Sequence, residues 1–233
     1  MPLKTAQYDQ DFLKANMMGP NAILILEELL DHLSLSSRMR ILDLGCGKGL
    51  SSIFLAREYK ARIFALDLWI PATDNHIRFQ KTGLDDFIVP IHADAHELPF
   101  ANHFFDAVIS VDSYHYFGNN DTFFSEKIRP LLKKGGLVAL AFPGLKSELQ
   151  TVPEAMKPYW KEEELPMLHS AAWWKELFKD ELHELHIWEM ACFKEAWKSW
   201  LDTDNPYAVQ DRAMLRTDND RFMNLIGITG TVS

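Results

Sequence analysis

Hydrophobic positions in the first two-thirds of the chain alternate between short apolar runs and stretches of helical spacing. Ile23, Leu26, Leu30 and Leu33 recur at the helical period between Asn21 and Leu33, and Pro20 suits the first position of that helix. A strand is predicted over Arg40 to Leu44, and a helix from Ser52 to Tyr59. A second strand follows at Arg62 to Leu66, a helix at Ile70 to Lys81 and a third strand at Ile88 to Ala93. The fourth strand is Phe105 to Val111. A connection of helical character, Asp121 to Leu132, then leads through the turn Lys133-Lys134-Gly135-Gly136 into a fifth strand, Leu137 to Phe142, stopped by Pro143 and Gly144. Strands alternating with helix-length segments predict an α/β fold with a parallel sheet and right-handed crossovers.

The last third reads differently. Lys146 to Met167 is polar and punctuated by proline. Ser170 is placed to cap a helix running to Phe178. Leu182 to Phe193 alternates partly, as a strand would, Lys194 to Leu201 returns to helical spacing, and Phe222 to Val232 is a final strand rich in Ile and Thr. There is no internal repeat, low-complexity tract or linker, so residues 1–233 are expected to form one domain with a helical insertion at about 194–221 between the last two strands.

Composition narrows the function classes. A hydrophobic content of 47% is that of a globular chain, and a net charge of −9 repels phosphate backbones and anionic lipid. Neither nucleic acid nor a membrane is therefore an expected partner. The two cysteines, Cys46 and Cys192, give no disulfide framework and no zinc cluster, which fits a reducing cytoplasm. Met1 to Asn16 lacks the apolar centre of a signal peptide, and no segment has the apolar length of a membrane helix. His92 and His96 lie four residues apart but have no third ligand nearby, so no metal is expected. Six of the seven tryptophans lie in the last third, where core and lid packing accounts for them more simply than an aromatic cage.

The chemistry concentrates in Ile41-Leu42-Asp43-Leu44-Gly45-Cys46-Gly47-Lys48-Gly49-Leu50. An apolar strand enters a glycine-rich turn, and the second strand ends in an acid, Asp67. Glycine allows positive φ and close approach to a ligand, and Gly45, Gly47 and Gly49 clear three side chains from above the first strand. The N–H groups opening the next helix favour a carboxylate or phosphate. A carboxylate at Asp67 can accept from both hydroxyls of a ribose diol. A P-loop is excluded, since no Gly-Lys-Ser/Thr follows at the required spacing. A dinucleotide turn wants its third glycine where Leu50 stands, and Asp43 would face a pyrophosphate unfavourably. A ligand bearing an ammonium and a sulfonium suits Asp43 better.

The pattern D-x-G-x-G-x-G resembles the first motif of class I S-adenosylmethionine-dependent methyltransferases. Four further segments are similar to that family in order: Asp67-Leu68-Trp69; Asp94-Ala95-His96-Glu97-Leu98-Pro99-Phe100; Phe105-Asp106-Ala107-Val108-Ile109-Ser110; and Leu131-Leu132-Lys133-Lys134-Gly135-Gly136, where Lys134 stands at a position often occupied by proline. The resemblance covers about 40–144 and is nearest to the small-molecule group like the ubiquinone/menaquinone C-methyltransferases. It implies a Rossmann-like seven-stranded sheet of order 3-2-1-4-5-7-6, strand seven antiparallel, flanked by helices. Residues 1–34 would supply a lid and helix, 40–144 the cofactor-binding core, and 145–233 the substrate-side helices with the last two strands.

The implied cofactor is S-adenosyl-L-methionine, with S-adenosyl-L-homocysteine as product, and the implied partner is a small-molecule acceptor met by a monomer or homodimer. Gly45, Gly47 and Gly49 would lie under the methionine part, with Asp43 holding its ammonium. Asp67 would bind ribose, Asp94 and Ala95 the adenine, with Leu68 as an apolar wall, and the main chain of Ser110 and Val111 would touch the methionine end. Within Asp112-Ser113-Tyr114-His115-Tyr116-Phe117, His115 is the first candidate base, followed by Asp112 and Tyr116. Tyr8 and Met18 are candidates to close over the cofactor. A cofactor-binding protein without turnover is the alternative reading, since a fold does not guarantee an activity.

Overall fold

The structure, a computed structural model, describes residues 4–233; the first three residues of the expected lid lie outside the described residues. Two helices open the chain, α1 (Gln10–Asn16) and α2 (Ala22–Leu30). Then come β1 (Arg40–Leu44), α3 (Leu50–Tyr59), β2 (Arg62–Asp67), α4 (Ala72–Lys81), β3 (Ile88–His92), β4 (Phe105–Val111) and β5 (Leu132–Leu145). The chain ends through α5 (Ala171–Phe178), β6 (His183–Glu189), α6 (Phe193–Leu201), α7 (Pro206–Asp218) and β7 (Met223–Thr231).

The seven strands form one sheet of order β3-β2-β1-β4-β5-β7-β6. The first five are mutually parallel, and β7 runs antiparallel between β5 and β6. This is the expected Rossmann-like fold. Central parallel strands are covered on both faces, so β1 is mostly apolar, with Ile41, Leu42 and Leu44 fully buried and Asp43 its one buried acid. One face packs Ile41, Ile63 and Ala139 against Ile25 of α2 and Phe54 of α3. The other packs Leu42, Val108 and Phe142 against Trp174 and Phe178 of α5. The expected insertion is helical: α6 and α7 fill the stretch between β6 and β7, with Asn205 accepting from Tyr207 N–H to cap α7.

The main departures from the sequence reading lie in β5, in the segment before it and in β6. β5 starts at Leu132, taking in the expected turn at 133–136, and does not stop at Phe142 but runs through Pro143 and Gly144 to Leu145, paired with β7 from Leu137 onward. Gly144 permits this, because a Cβ there would lie 2.3 Å from Ile226 Cδ1 and 2.8 Å from the His169 carbonyl oxygen. The helix expected over Asp121 to Leu132 is a π-turn at Phe124–Ile128 followed by a 3-10 turn at Arg129–Leu131, since Pro130 lacks the N–H that a continuous helix needs. β6 ends at Glu189, and Phe193 already begins α6.

Candidate functional site

The loops leaving the carboxyl ends of β1 to β4, with the segment between α1 and α2, enclose a cavity of about 270 Å³. A doubly wound sheet binds its ligands at this edge. Its lining includes Gly45, Cys46, Gly47, Asp67, Leu68, Asp94, Ala95, Val111, Asp112 and Tyr116, so most of the sequence-predicted residues are brought together there.

The turn after β1 is tied down by its own backbone. The N–H groups of Gly45 and Cys46 both donate to the Leu66 carbonyl, at 2.8 and 3.0 Å. Gly45 has φ +75°, and a Cβ there would lie 1.8 Å from Ser113 Oγ, so no other residue fits. Gly47 has φ +54° and faces Met18, whose sulfur would meet a Cβ at 3.0 Å. Gly49 is different. It precedes α3 with φ +78°, its added Cβ would strike the Phe79 ring at 2.5 Å, and it does not line the cavity. Expected beneath the cofactor, it serves the packing of α3 on α4 instead.

Asp67 ends β2 with its carboxylate held from behind. Oδ2 accepts from Gly47 N–H at 2.8 Å, and Oδ1 accepts from Trp69 and Ile70 N–H at 2.8 and 2.9 Å. Each oxygen has further acceptor capacity on the cavity side. Asp43 sits one layer deeper, fully buried and outside the cavity lining. Its Oδ2 accepts from Ser51 Oγ at 2.6 Å and from Ser52 Oγ, while Oδ1 has no protein partner. Burial pushes its carboxyl up to about 6 against the two serine hydroxyls. At the far end, Asp94 Oδ1 accepts from the backbone N–H and faces Nδ1 of His96, both at 2.8 Å, which holds its carboxyl below the usual range. Ala95 and Leu68 border the same end.

The residues after β4 part company. Val111 lines the cavity, but Ser110 points away, its Oγ donating to the Leu44 carbonyl at 2.7 Å. Asp112 has φ +56° and turns its carboxylate into the cavity, where burial and the neighbouring Asp211 push it up to about 8. Tyr116 borders the same space. His115 does not reach it. The imidazole is buried against Tyr116, ring centres 4.0 Å apart, its Nδ1 lacks a partner, and burial lowers its pKa to about 3. The first candidate base is thus a neutral packing residue behind Tyr116, while the other two candidates, Asp112 and Tyr116, border the cavity. Tyr8 likewise lies in the core, its hydroxyl 3.2 Å from Glu58 Oε1, whereas Met18 does border the cavity.

Sequence reasoning missed Asn75 as a support for the glycine turn. From α4, its Nδ2 donates to the Gly47 carbonyl at 2.9 Å and approaches Cys46 Sγ at 3.7 Å, while Arg78 donates to its Oδ1. The signal was a polar residue at a core-facing helical position. Asn75→Ala is expected to lower stability by about 1–2 kcal/mol, because the turn loses its anchor and a carbonyl is orphaned. Unchanged urea midpoints would show that the turn holds itself. Trp69, Ser113 and Phe117 were also unassigned and complete the wall. Among the described residues, no group of three or more His, Cys, Asp or Glu is arranged to hold a metal, and no helix is long and apolar enough to cross a membrane.

A sulfonium nucleoside fits this lining. The turn is bare where a Cβ would block it, a buried carboxylate oxygen of Asp43 waits unpartnered beneath it, and the acidic lining suits a cationic ligand better than a pyrophosphate. Residues 42–140 match the family described as "Methyltransferase domain". Methyltransferase GfsG of Streptomyces halstedii is 29% identical over 135 residues, which cover 56% of this chain and 47% of that protein. The malonyl-[acyl-carrier protein] O-methyltransferase of Legionella pneumophila subsp. pneumophila is 33% identical over 146 residues, covering 62% of this chain and 50% of that protein. The chain thus spans about half the length of the curated relatives it matches. A solved phosphoethanolamine N-methyltransferase of Haemonchus contortus, bound to S-adenosylhomocysteine and phosphomonomethylethanolamine, superimposes with a TM-score of 0.72 at 22% identity over 99% of this chain and 59% of that one. Residues 42–140 thus match a methyltransferase domain, and the sheet order and the glycine turn agree with that match.

Proposed function

We propose that this chain transfers the methyl group of S-adenosylmethionine to a small-molecule acceptor. The observation that carries this reading is the Asp67 carboxylate, pinned by three backbone N–H groups beside a bare glycine turn and open toward the cavity. That geometry suits the two hydroxyls of a vicinal diol.

The cofactor, when bound, supplies an electrophilic methyl on sulfonium. The chain's residues do the rest. Asp67 receives the ribose hydroxyls, Asp94 and Ala95 receive adenine, and Leu68 covers it. Asp43 offers its free Oδ1 to the ammonium, directly or through water. Val111 and Gly45 border the methionine end. Met17, Met18 and Pro20 form the wall between α1 and α2 and keep water from the reacting face. Asp112 and Tyr116 stand where an acceptor would approach, and alignment of that acceptor is the protein's main contribution to rate. We place this activity in a reducing cytoplasm, in keeping with the two unpaired cysteines, Cys46 and Cys192.

Isothermal titration with S-adenosylmethionine, followed by detection of S-adenosylhomocysteine release with a metabolite panel, tests the reading. Saturable binding with acceptor-dependent release is expected. Binding without release under any acceptor would support the cofactor-binding alternative, and no binding by folded protein would end both.

A further inference from the structure

Resting on that reading, we propose that the acceptor is a cationic alkylamine whose ammonium head sits between the Asp112 carboxylate and the rings of Trp69 and Tyr116. The cavity divides by chemistry. Asp67, Asp94 and Ala95 belong to the nucleoside end. Asp112, Trp69 and Tyr116, with Met18, are left for whatever meets the methyl group.

Asp112 carries the first part of the inference. Its left-handed backbone aims the side chain beneath the Met17–Pro20 segment, where a Cβ on Gly19 would lie 2.1 Å from Oδ2. No hydrogen bond contributes to the state of this carboxylate; burial and Asp211 alone act on it. The charged groups that act on Asp112 and Tyr116 are all acidic: Asp112 itself, Asp211 on α7 and Glu164. Asp211 is held in place by Trp200 Nε1–H at 2.8 Å. A carboxylate or phosphate acceptor would be repelled by an ionised Asp112, and a neutral one would give it no countercharge with which to ionise. A cation satisfies it.

The aromatic rim carries the second part. Trp69 and Tyr116 meet edge to face, ring centres 5.6 Å apart at 62°, yet remain 64% and 48% exposed. Two open rings steeply inclined to one another, next to a carboxylate, make the walls of a cage for an alkylammonium group.

An ammonium nitrogen has no lone pair, so transfer requires its proton to leave first. Asp112 receives it: the N–H bond breaks, an O–H bond forms on Oδ2, and the freed nitrogen pair attacks the methyl carbon. The S–CH3 electron pair stays on sulfur. A carboxyl that burial and Asp211 raise to about 8 is well matched to hold that proton.

Choline and its neutral isostere, dimethylbutanol, in which carbon replaces nitrogen, separate charge from shape. Each is titrated calorimetrically into the full chain saturated with S-adenosylhomocysteine. Choline is expected to bind about tenfold more tightly than the isostere. That preference should fall to about unity in Asp112→Asn and weaken in Trp69→Leu, an exposed substitution that leaves the core intact. Equal affinity of the two probes, no choline binding to a complex that does hold S-adenosylhomocysteine, or a preference that survives Asp112→Asn would each overturn the amine assignment while leaving methyl transfer standing. Failure to bind S-adenosylhomocysteine at all would remove the underlying reading and this one with it.

Discussion

Asp67→Ala is expected to weaken S-adenosylhomocysteine binding about a hundredfold, or roughly 3 kcal/mol, the loss of two charge-assisted hydrogen bonds to the ribose. The effect is large because two functions share the side chain. Its oxygens anchor the N–H groups of Gly47, Trp69 and Ile70, and they also face the cavity. Removing them therefore deletes the diol acceptor and releases the loop that carries Leu68 and Trp69. Water can replace the lost acceptor at the cavity edge, so the fold should lose only about 1–2 kcal/mol. Asp67→Asn separates the roles. Its amide oxygen can keep the bonds to Trp69 and Ile70, but its NH2 would then face Gly47 N–H, donor against donor. Stability should stay closer to wild type while binding falls nearly as far as in the alanine variant. Calorimetry and thermal melts on the three proteins read both quantities, and an alanine variant that binds within about threefold of wild type would mean that the diol lies elsewhere.

The parts of the molecule legible in its sequence are those governed by period and by backbone chemistry. The strand runs and the turn Gly45-Cys46-Gly47 could be read because burial on two faces demands an apolar run and positive φ demands glycine. Asp67 could be read because it ends a strand next to that turn. What escaped depends on side-chain direction in irregular segments. His115 and Asp112 are three residues apart on one loop, and nothing in their order tells which faces the cavity; the left-handed φ at Asp112 decides it. The tryptophans crowd the last third of the chain, yet the one that borders the cavity is Trp69, placed by the Asp67 carboxylate rather than by any aromatic pattern. Gly49 belongs to the same motif as Gly45 and Gly47 but answers to Phe79, a residue thirty positions on that only the packing of α4 brings near. The extension of β5 through Pro143 shows the same limit, since pairing with β7 overrides a local stop signal.

Asp112→Asn should make the ligand-free protein more stable at alkaline pH, which is uncommon for a substitution within a site. An unfolded aspartate titrates near about 4. In the folded protein burial and Asp211 hold Asp112 up to about 8. Between those values the native state keeps a proton that the unfolded chain has lost, so stability falls as pH rises. The contribution of Asp112 is complete below the lower value and gone once pH has risen through the upper one. Asp43, raised by its burial to about 6, acts with the same sign over a narrower window. His115 opposes them: burial lowers it to about 3, so its contribution is present above the unfolded value of about 6.5 and is lost as pH falls through 3. Between about pH 4 and 6 two aspartates lower stability against one histidine that raises it, so the wild-type melt alone mixes the three groups. The difference between wild type and Asp112→Asn does not, because Asp43 and His115 are common to both. Asparagine tolerates the left-handed backbone at this position and carries no charge to bury. The two proteins should melt together near about pH 4 and diverge steadily above it, the variant gaining about 3 kcal/mol, or roughly 6–10 °C, by about pH 9. Saturating choline should narrow that gap, since a cation beside Asp112 stabilises the ionised carboxylate in the wild type alone. Parallel melting curves across the whole range would show that Asp112 is ionised and solvated in the folded chain, and the site would then lack the strained carboxylate from which its cation selectivity derives.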